Sequence, residues 1–99
     1  MKKLMVSKNE QNDYELIFFA LSHNTRRQIL TYLSKKNVPT ITGEIAGFLT
    51  CSWPTMTRHL QTLQKAELVS VKKQGREYFY EINIKRFLII EKWVNNLKR

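Results

Sequence analysis

The chain has a single cysteine, Cys51, so it cannot close an internal disulfide, and a reducing cytoplasm is the expected compartment. It has only two histidines, His23 and His59, and eight carboxylates against 17 Lys and Arg. These donors make no convincing four-ligand set, so neither a metal nor another cofactor is expected. No apolar run approaches the ~20 residues of a membrane span. Met1-Lys2-Lys3 is basic, but Leu4-Met5-Val6 is too short for the apolar core of a secretory signal. There is no phosphate-cradling glycine-rich loop, no paired-carboxylate cluster and no evident nucleophile beside either histidine, which argues against an enzyme.

What the chain does have is positive charge. Its 99 residues fit one domain, and 42% hydrophobic content suits a folded one, but the formal charge is +9 and the pI near 9.9. Such a balance favours a polyanionic partner, a nucleic acid or an anionic membrane surface. The excess is uneven. Residues 52–76 hold Arg58, Lys65, Lys72, Lys73 and Arg76 against Glu67 alone.

Hydrophobic periodicity divides the chain into elements. Residues 1–9 read as a flexible basic arm, and 10–99 as a single domain. A first helix is expected over 10–21, with Tyr14, Ile17, Phe18 and Leu21 at helical spacing and Leu16 and Phe19 greasy on another side. Ser22 or Asn24 can cap a second helix to about Lys35, with Ile29, Leu30 and Leu33 inward; His23 also reads as a capping residue. Thr40 can cap a third through Leu49, with Ile45, Phe48 and Leu49 as core. Gly43 and Gly47 weaken that helix, and close packing against a neighbour would be a reason to tolerate them.

Ser52 can cap a fourth helix, with Pro54 in its first turn, where a missing N–H costs nothing. Met56, Leu60 and Leu63 form its inward stripe. Strands over 69–73 and 77–82 follow, joined by a turn at Gln74-Gly75, and the return strand alternates with period 2. A last helix runs from Asn83 or Ile84 to Leu97 with Phe87, Ile90, Val94 and Leu97 as a seam. The expected fold is therefore mostly helical α+β, in the order α-α-α-α-β-β-α. The greasy helices at each end suggest pairing with a second copy, through Tyr14, Phe18, Phe87, Ile90, Trp93, Val94 and Leu97.

The third and fourth helices, joined by a tight turn, have the form of a helix-turn-helix, in which the second helix enters the major groove of DNA. Thr55 and Thr57 are slim donors and acceptors, Arg58 can fork onto a guanine or a phosphate, and the amides near Pro54–Thr57 can receive a phosphate. Trp53, Pro54, His59 and Gln61 complete the candidate face. Lys72, Lys73, Gln74 and Arg76 form a basic hairpin tip able to reach the DNA backbone.

The order and spacing of these motifs resemble the ArsR-type winged helix-turn-helix repressors of bacteria and archaea. The resemblance covers about residues 17–83. It rests on Ala20–Leu30, on Gly43-Glu44-Ile45-Ala46, on Ser52–Leu60, on Leu63–Val69, on Lys73–Arg76 and on Tyr78-Phe79-Tyr80. It implies a homodimeric repressor of an inverted-repeat operator in double-stranded DNA. It also implies that Ser52–Ala66 is the recognition helix, Lys72–Arg76 the wing, and the first and last helices the dimer interface. Arsenic-type thiolates of the family would fall at Ala46 and Phe48, neither of which binds metal. The Thr-Ile-Thr-Gly-Glu-Ile-Ala and Lys-Ala-Glu-Leu-Val segments look like the metal-independent, sporulation-delay branch of autorepressors. Glu67 stands where the family often has Gly. Two alternatives stay open: an effector- or redox-responsive repressor acting through Cys51 or a dimer-interface ligand, and a basic interaction module that does not act on DNA.

Overall fold

Apolar spacing turns directly into helices. The computed structural model describes residues 8–98, with the backbone alone for 8–10. Helices α1 (Lys8–Leu21), α2 (Asn24–Lys36), α3 (Thr42–Leu49), α4 (Trp53–Lys65) and α5 (Leu88–Leu97) alternate with strands β1 (Thr40–Ile41), β2 (Val69–Gln74) and β3 (Glu77–Ile82). The strands form one antiparallel sheet in the order β1-β3-β2. This is the expected winged helix-turn-helix with one strand more than the sequence suggested. Of the basic arm expected over 1–9, residues 1–7 lie outside the described residues, while Lys8 and Asn9 already belong to α1.

The core gathers Ile17 and Ala20 of α1, Ile29, Leu30 and Leu33 of α2, Ile45 of α3, and Met56, Leu60 and Leu63 of α4. Leu68, Val69 and Tyr80 close it from the sheet side. Phe48, expected in this core, is 59% exposed. It lies near the end of α3 and stacks on Tyr32 of α2 instead, with ring centroids 4.2 Å apart. No packing constraint is seen at Gly47 either, where an added Cβ would meet nothing within 4 Å.

Polar groups fix the junctions. The cap of α2 is His23, not Ser22 or Asn24; its backbone is extended and its Nδ1 accepts from the Thr25 N–H at 3.1 Å. Arg26, only 7% exposed, donates from Nε to Ala20 O at 2.8 Å and from Nη2 to Phe19 O at 3.1 Å. Its guanidinium thus satisfies carbonyls left open at the end of α1, where a positive charge also suits the helix dipole. Its Nη1 lies 3.4 Å from His59 Nδ1 on α4, and the rings of His59 and His23 are 4.6 Å apart. One buried cation therefore joins α1, α2 and α4.

Thr40 does not cap α3. It pairs with Tyr80 in the sheet and donates its hydroxyl to Val38 O at 2.9 Å, while Ile41 pairs with Phe79. The β-branched Thr40-Ile41 pair suits an extended strand once β3 supplies the partner. The helix then starts at Thr42 with no side-chain cap. In the hairpin, Gln74 pairs with Glu77, so the loop residues are Gly75 and Arg76, one position later than expected. Gly75 has φ +63°, while Arg76 is not among the positive-φ residues, as in a type II′ turn.

The chain leaves α4 through Glu67, which holds φ +62°, the left-handed exit for which glycine is best suited. Asn83 stabilises this exit by donating Nδ2 to Glu67 O at 2.9 Å and its backbone N–H to Leu68 O at 2.9 Å. The last helix is split. Ile84–Phe87 form a 3₁₀ turn before α5 begins. That turn is held by Arg86, whose Nε donates to Ala66 O and whose Nη2 reaches Asp13 on α1, each at 2.9 Å.

α5 buries none of its residues. Trp93, Val94 and Leu97 are exposed, Phe87 and Ile90 half-buried. Phe18 meets Trp93 edge-on at 5.2 Å and Tyr14 stacks on Phe18 at 6.1 Å. All seven expected interface residues therefore lie on α1, α5 and the turn before α5, a face only partly covered within this chain.

Two outcomes follow for stability. Glu67→Gly removes the left-handed penalty, about 1–2 kcal/mol, while adding unfolded-state entropy of about 0.5–1. A net gain of roughly 0.5–1 kcal/mol should appear in urea denaturation; a loss would mean that the Glu67 side chain itself supports the exit. For His59, burial first, then the charges of His23, Arg26 and Arg58, hold the imidazole below its ordinary pKa. The unfolded chain then binds more protons below about pH 6.5, so stability falls as pH drops through that value. His59→Gln should flatten this slope between about pH 7 and 5; an unchanged slope would assign the protons elsewhere.

Candidate nucleic-acid interface

The outward face of α4 is set by what its inward face buries. Met56, Leu60 and Leu63 are each 0% exposed. With 3.6 residues per turn, that leaves Trp53, Pro54, Arg58 and Gln61 exposed, and Thr55, Thr57 and His59 half-buried at the margins.

The helix start is built by Ser52. Its Oγ accepts from the Thr55 N–H at 3.4 Å and donates to Thr55 Oγ1 at 2.9 Å, while Ser52 O accepts from the Met56 N–H at 2.9 Å. The amides expected to receive a phosphate are thus largely engaged. Pro54 has none, and those of Thr55 and Met56 already have partners. Side chains, rather than a bare helix end, carry what recognition this face offers.

The hairpin lies beside that helix. Lys72, Lys73, Gln74 and Arg76 are all exposed. Lys73 Nζ sits 5.7 Å from the centre of the Tyr78 ring, its cross-strand partner, a cation–π contact that steadies one of the tip charges. Between α4 and the hairpin lies a cleft of about 500 Å³. Trp53, Thr57 and Gln61 line it from the helix, and Arg76, Tyr78 and Tyr80 from the hairpin. Four of the candidates read from sequence, Trp53, Thr57, Gln61 and Arg76, therefore converge on one concavity.

Others sit apart from it. Arg58 is exposed on α4 but does not line the cleft, and neither do Thr55 and Pro54. His59 turns to the opposite side, against His23 and Arg26, where it belongs to the junction of α2 and α4. Lys72, Lys73 and Gln74 extend along the hairpin beyond the cleft. Sequence reasoning missed Tyr78, which lines the cleft and is 46% exposed. The signal was available in the pairing of Lys73 with Tyr78, which a two-residue loop at Gly75-Arg76 requires. Gln64 and Thr42 also line the cleft and were not singled out.

Cys51 is free and half-buried in the turn before α4. Among the described residues, no three His, Cys, Asp or Glu side chains come together to hold a metal ion, and no helix is long and apolar enough to cross a membrane.

Known proteins match this arrangement. The helix-turn-helix domain family matches residues 21–72, from the end of α1 into β2. The transcriptional repressor SdpR of Bacillus subtilis (strain 168) is 36% identical over 67 residues, covering 68% of this chain and 72% of that protein. A crystal structure of an ArsR family transcriptional regulator superposes with a TM-score of 0.81 at 28% identity, over 94% of this chain and 92% of that one. The solution structure of a homodimeric winged helix-turn-helix DNA-binding domain from Mycobacterium bovis shares the fold, with a TM-score of 0.71 at 21% identity over 95% and 90% of the two chains. The matched span contains the very helices that expose Trp53, Arg58 and Gln61, and the chain accordingly belongs to the ArsR-type winged helix-turn-helix family of DNA-binding transcriptional repressors.

Proposed function

We propose that this chain is a cytoplasmic, homodimeric repressor that reads an inverted-repeat operator in double-stranded DNA and needs no metal to do so. The observation that carries the reading is the convergence of α4 and the hairpin on one cleft, with Trp53, Thr57, Gln61 and Arg76 facing it. A helix so placed can enter the major groove while the basic hairpin follows the adjoining backbone. Arg58, exposed beside the cleft and free of carboxylate partners among the described residues, is suited to fork onto a guanine. Lys72 and Lys73, with Gln74, suit phosphate contact along the wing. Thr55 and Pro54 let the backbone approach, and His59 supports the helix from behind.

Support for the dimer comes from the aromatic face of α1 and α5, where Tyr14, Phe18 and Trp93 cluster beside exposed Val94 and Leu97. The Mycobacterium bovis domain of the same fold is itself homodimeric. Two copies would present two recognition helices about one duplex turn apart, the spacing of a half-site pair. Metal independence is supported by side-chain chemistry at the positions where arsenic-type thiolates of the family fall: Ala46 has no donor, and Phe48 is an exposed aromatic ring. Residues 10–99 serve on this reading as one unit for both DNA binding and dimerisation.

Operator DNA selected from a random pool tests the whole reading, and an enriched inverted repeat is the expected product. On that operator, Arg58→Ala should cost roughly 1–3 kcal/mol, about 5- to 150-fold in affinity, with little change on random duplex. Equal losses on both would make Arg58 a phosphate contact. Lys72→Ala should weaken both about equally and lower the salt slope by about one unit.

The dimer has its own test. Trp93→Glu places a charge in the uncovered aromatic face. Sedimentation should change from dimer to monomer, with helical content retained and operator affinity reduced. A monomeric parent protein would sink this part of the reading.

A further inference from the structure

Between α2 and α3 lies an open cavity of about 600 Å³, apart from the DNA-facing cleft and from the aromatic face of α1 and α5. That volume is in the ordinary range for a small-molecule site. Its wall is the stacked pair of Tyr32 and Phe48, with ring planes 25° apart. Phe48 is 59% exposed, so an aromatic surface faces the cavity with no side chain covering it. Arg27, Lys35 and Lys36 supply its charge, and none of its lining residues is acidic.

The three cations are not equivalent. Lys36 Nζ is paired with Glu44 Oε2 at 2.7 Å, and the same oxygen accepts from Tyr32 Oη at 2.5 Å. This triad anchors the Tyr32 hydroxyl, and the Tyr32 ring lies against Phe48. Arg27 donates Nη1 to Leu21 O, while neither Arg27 nor Lys35 has a carboxylate partner among the described residues. The cavity thus combines a planar apolar wall with two cations that have no carboxylate partner among the described residues.

We propose that this cavity is a binding site for a small aromatic carboxylate, its ring stacked on Phe48 and its carboxylate held by Lys35, with Arg27 adding positive charge further along the rim. A ring stacked on a ring gains beyond area burial alone, and a charge-assisted hydrogen bond supplies orientation. The chain itself is a poor occupant. It carries +9, so a second copy would bring like charge to a basic rim. A neutral apolar ligand would leave the two cations unused.

Titration of the full chain with 2-naphthoate, followed by NMR shifts and by calorimetry, tests the site. Saturable binding with a dissociation constant below about 1 mM is expected, with shifts centred on α2 and α3. Phe48→Ala and Lys35→Glu should each weaken it by about tenfold or more, and 2-naphthylmethanol, which lacks the charge, should bind at least about tenfold more weakly. Both residues are exposed, and circular dichroism of each variant is the check that it folds. Absence of saturable binding, equal binding by either variant, equal binding of the neutral analogue, or tighter binding of adenosine monophosphate would each overturn the assignment.

Discussion

Everything that faces outward from α4 depends on three side chains that face inward. Met56, Leu60 and Leu63 are completely buried, at the i, i+4, i+7 spacing of one helix face. Each contributes on the order of 1.5–3 kcal/mol by leaving water. A rotation of α4 about its axis would expose some of them, so the helix has one rotational setting. That setting is what places Trp53, Thr57 and Gln61 on the cleft and Arg58 beside it. The reading face needs no scaffold of its own, since the core fixes it.

Packing sets rotation, but polar junctions set where elements begin and end. Arg26 closes the end of α1 and leans on His59 of α4; Arg86 closes the end of α4 and reaches α1 through Asp13. Each guanidinium satisfies carbonyls that the end of a helix leaves open, so burial of the cation is matched by hydrogen bonds. The two arginines thereby tie α1 to the middle and to the C-terminal end of α4. Asn83 completes the set by holding the strained Glu67 exit in place.

Much of this was legible in the sequence, and what was not has a common cause. The stripes of α2 and α4, the Ser52 cap and the hairpin all follow from residues within a few positions of one another. β1 was not visible because Thr40-Ile41 is extended only in the presence of Phe79 and Tyr80, far along the chain. The break between Phe87 and Leu88 likewise depends on Arg86 finding Ala66 and Asp13. Phe48 has helical spacing from Ile45 and Leu49 and so reads as core, yet it lies toward the end of α3, where it stacks on Tyr32 and stays exposed. In the candidate site, residue types announced which side chains could meet DNA, but not which of them share a cleft. His59 shows the difference: its neighbours in sequence are on the reading helix, while its neighbours in space are His23 and Arg26.

The DNA-facing surface and the face of α1 and α5 differ in chemistry and in position. One is basic and polar, carried by α4 and the hairpin. The other is aromatic and apolar, carried by α1 and α5. A 99-residue chain buries a thin core, so leaving Trp93, Val94 and Leu97 in water forgoes hydrophobic stabilisation that a second copy would recover. The basic surface cannot be satisfied in the same way, because a second copy brings more positive charge, and only a polyanion relieves it. Since the two surfaces lie on different elements, occupying one does not block the other. The proposed dimer can therefore form on its apolar face with both reading helices still open, the condition under which one helix per copy can meet one half-site.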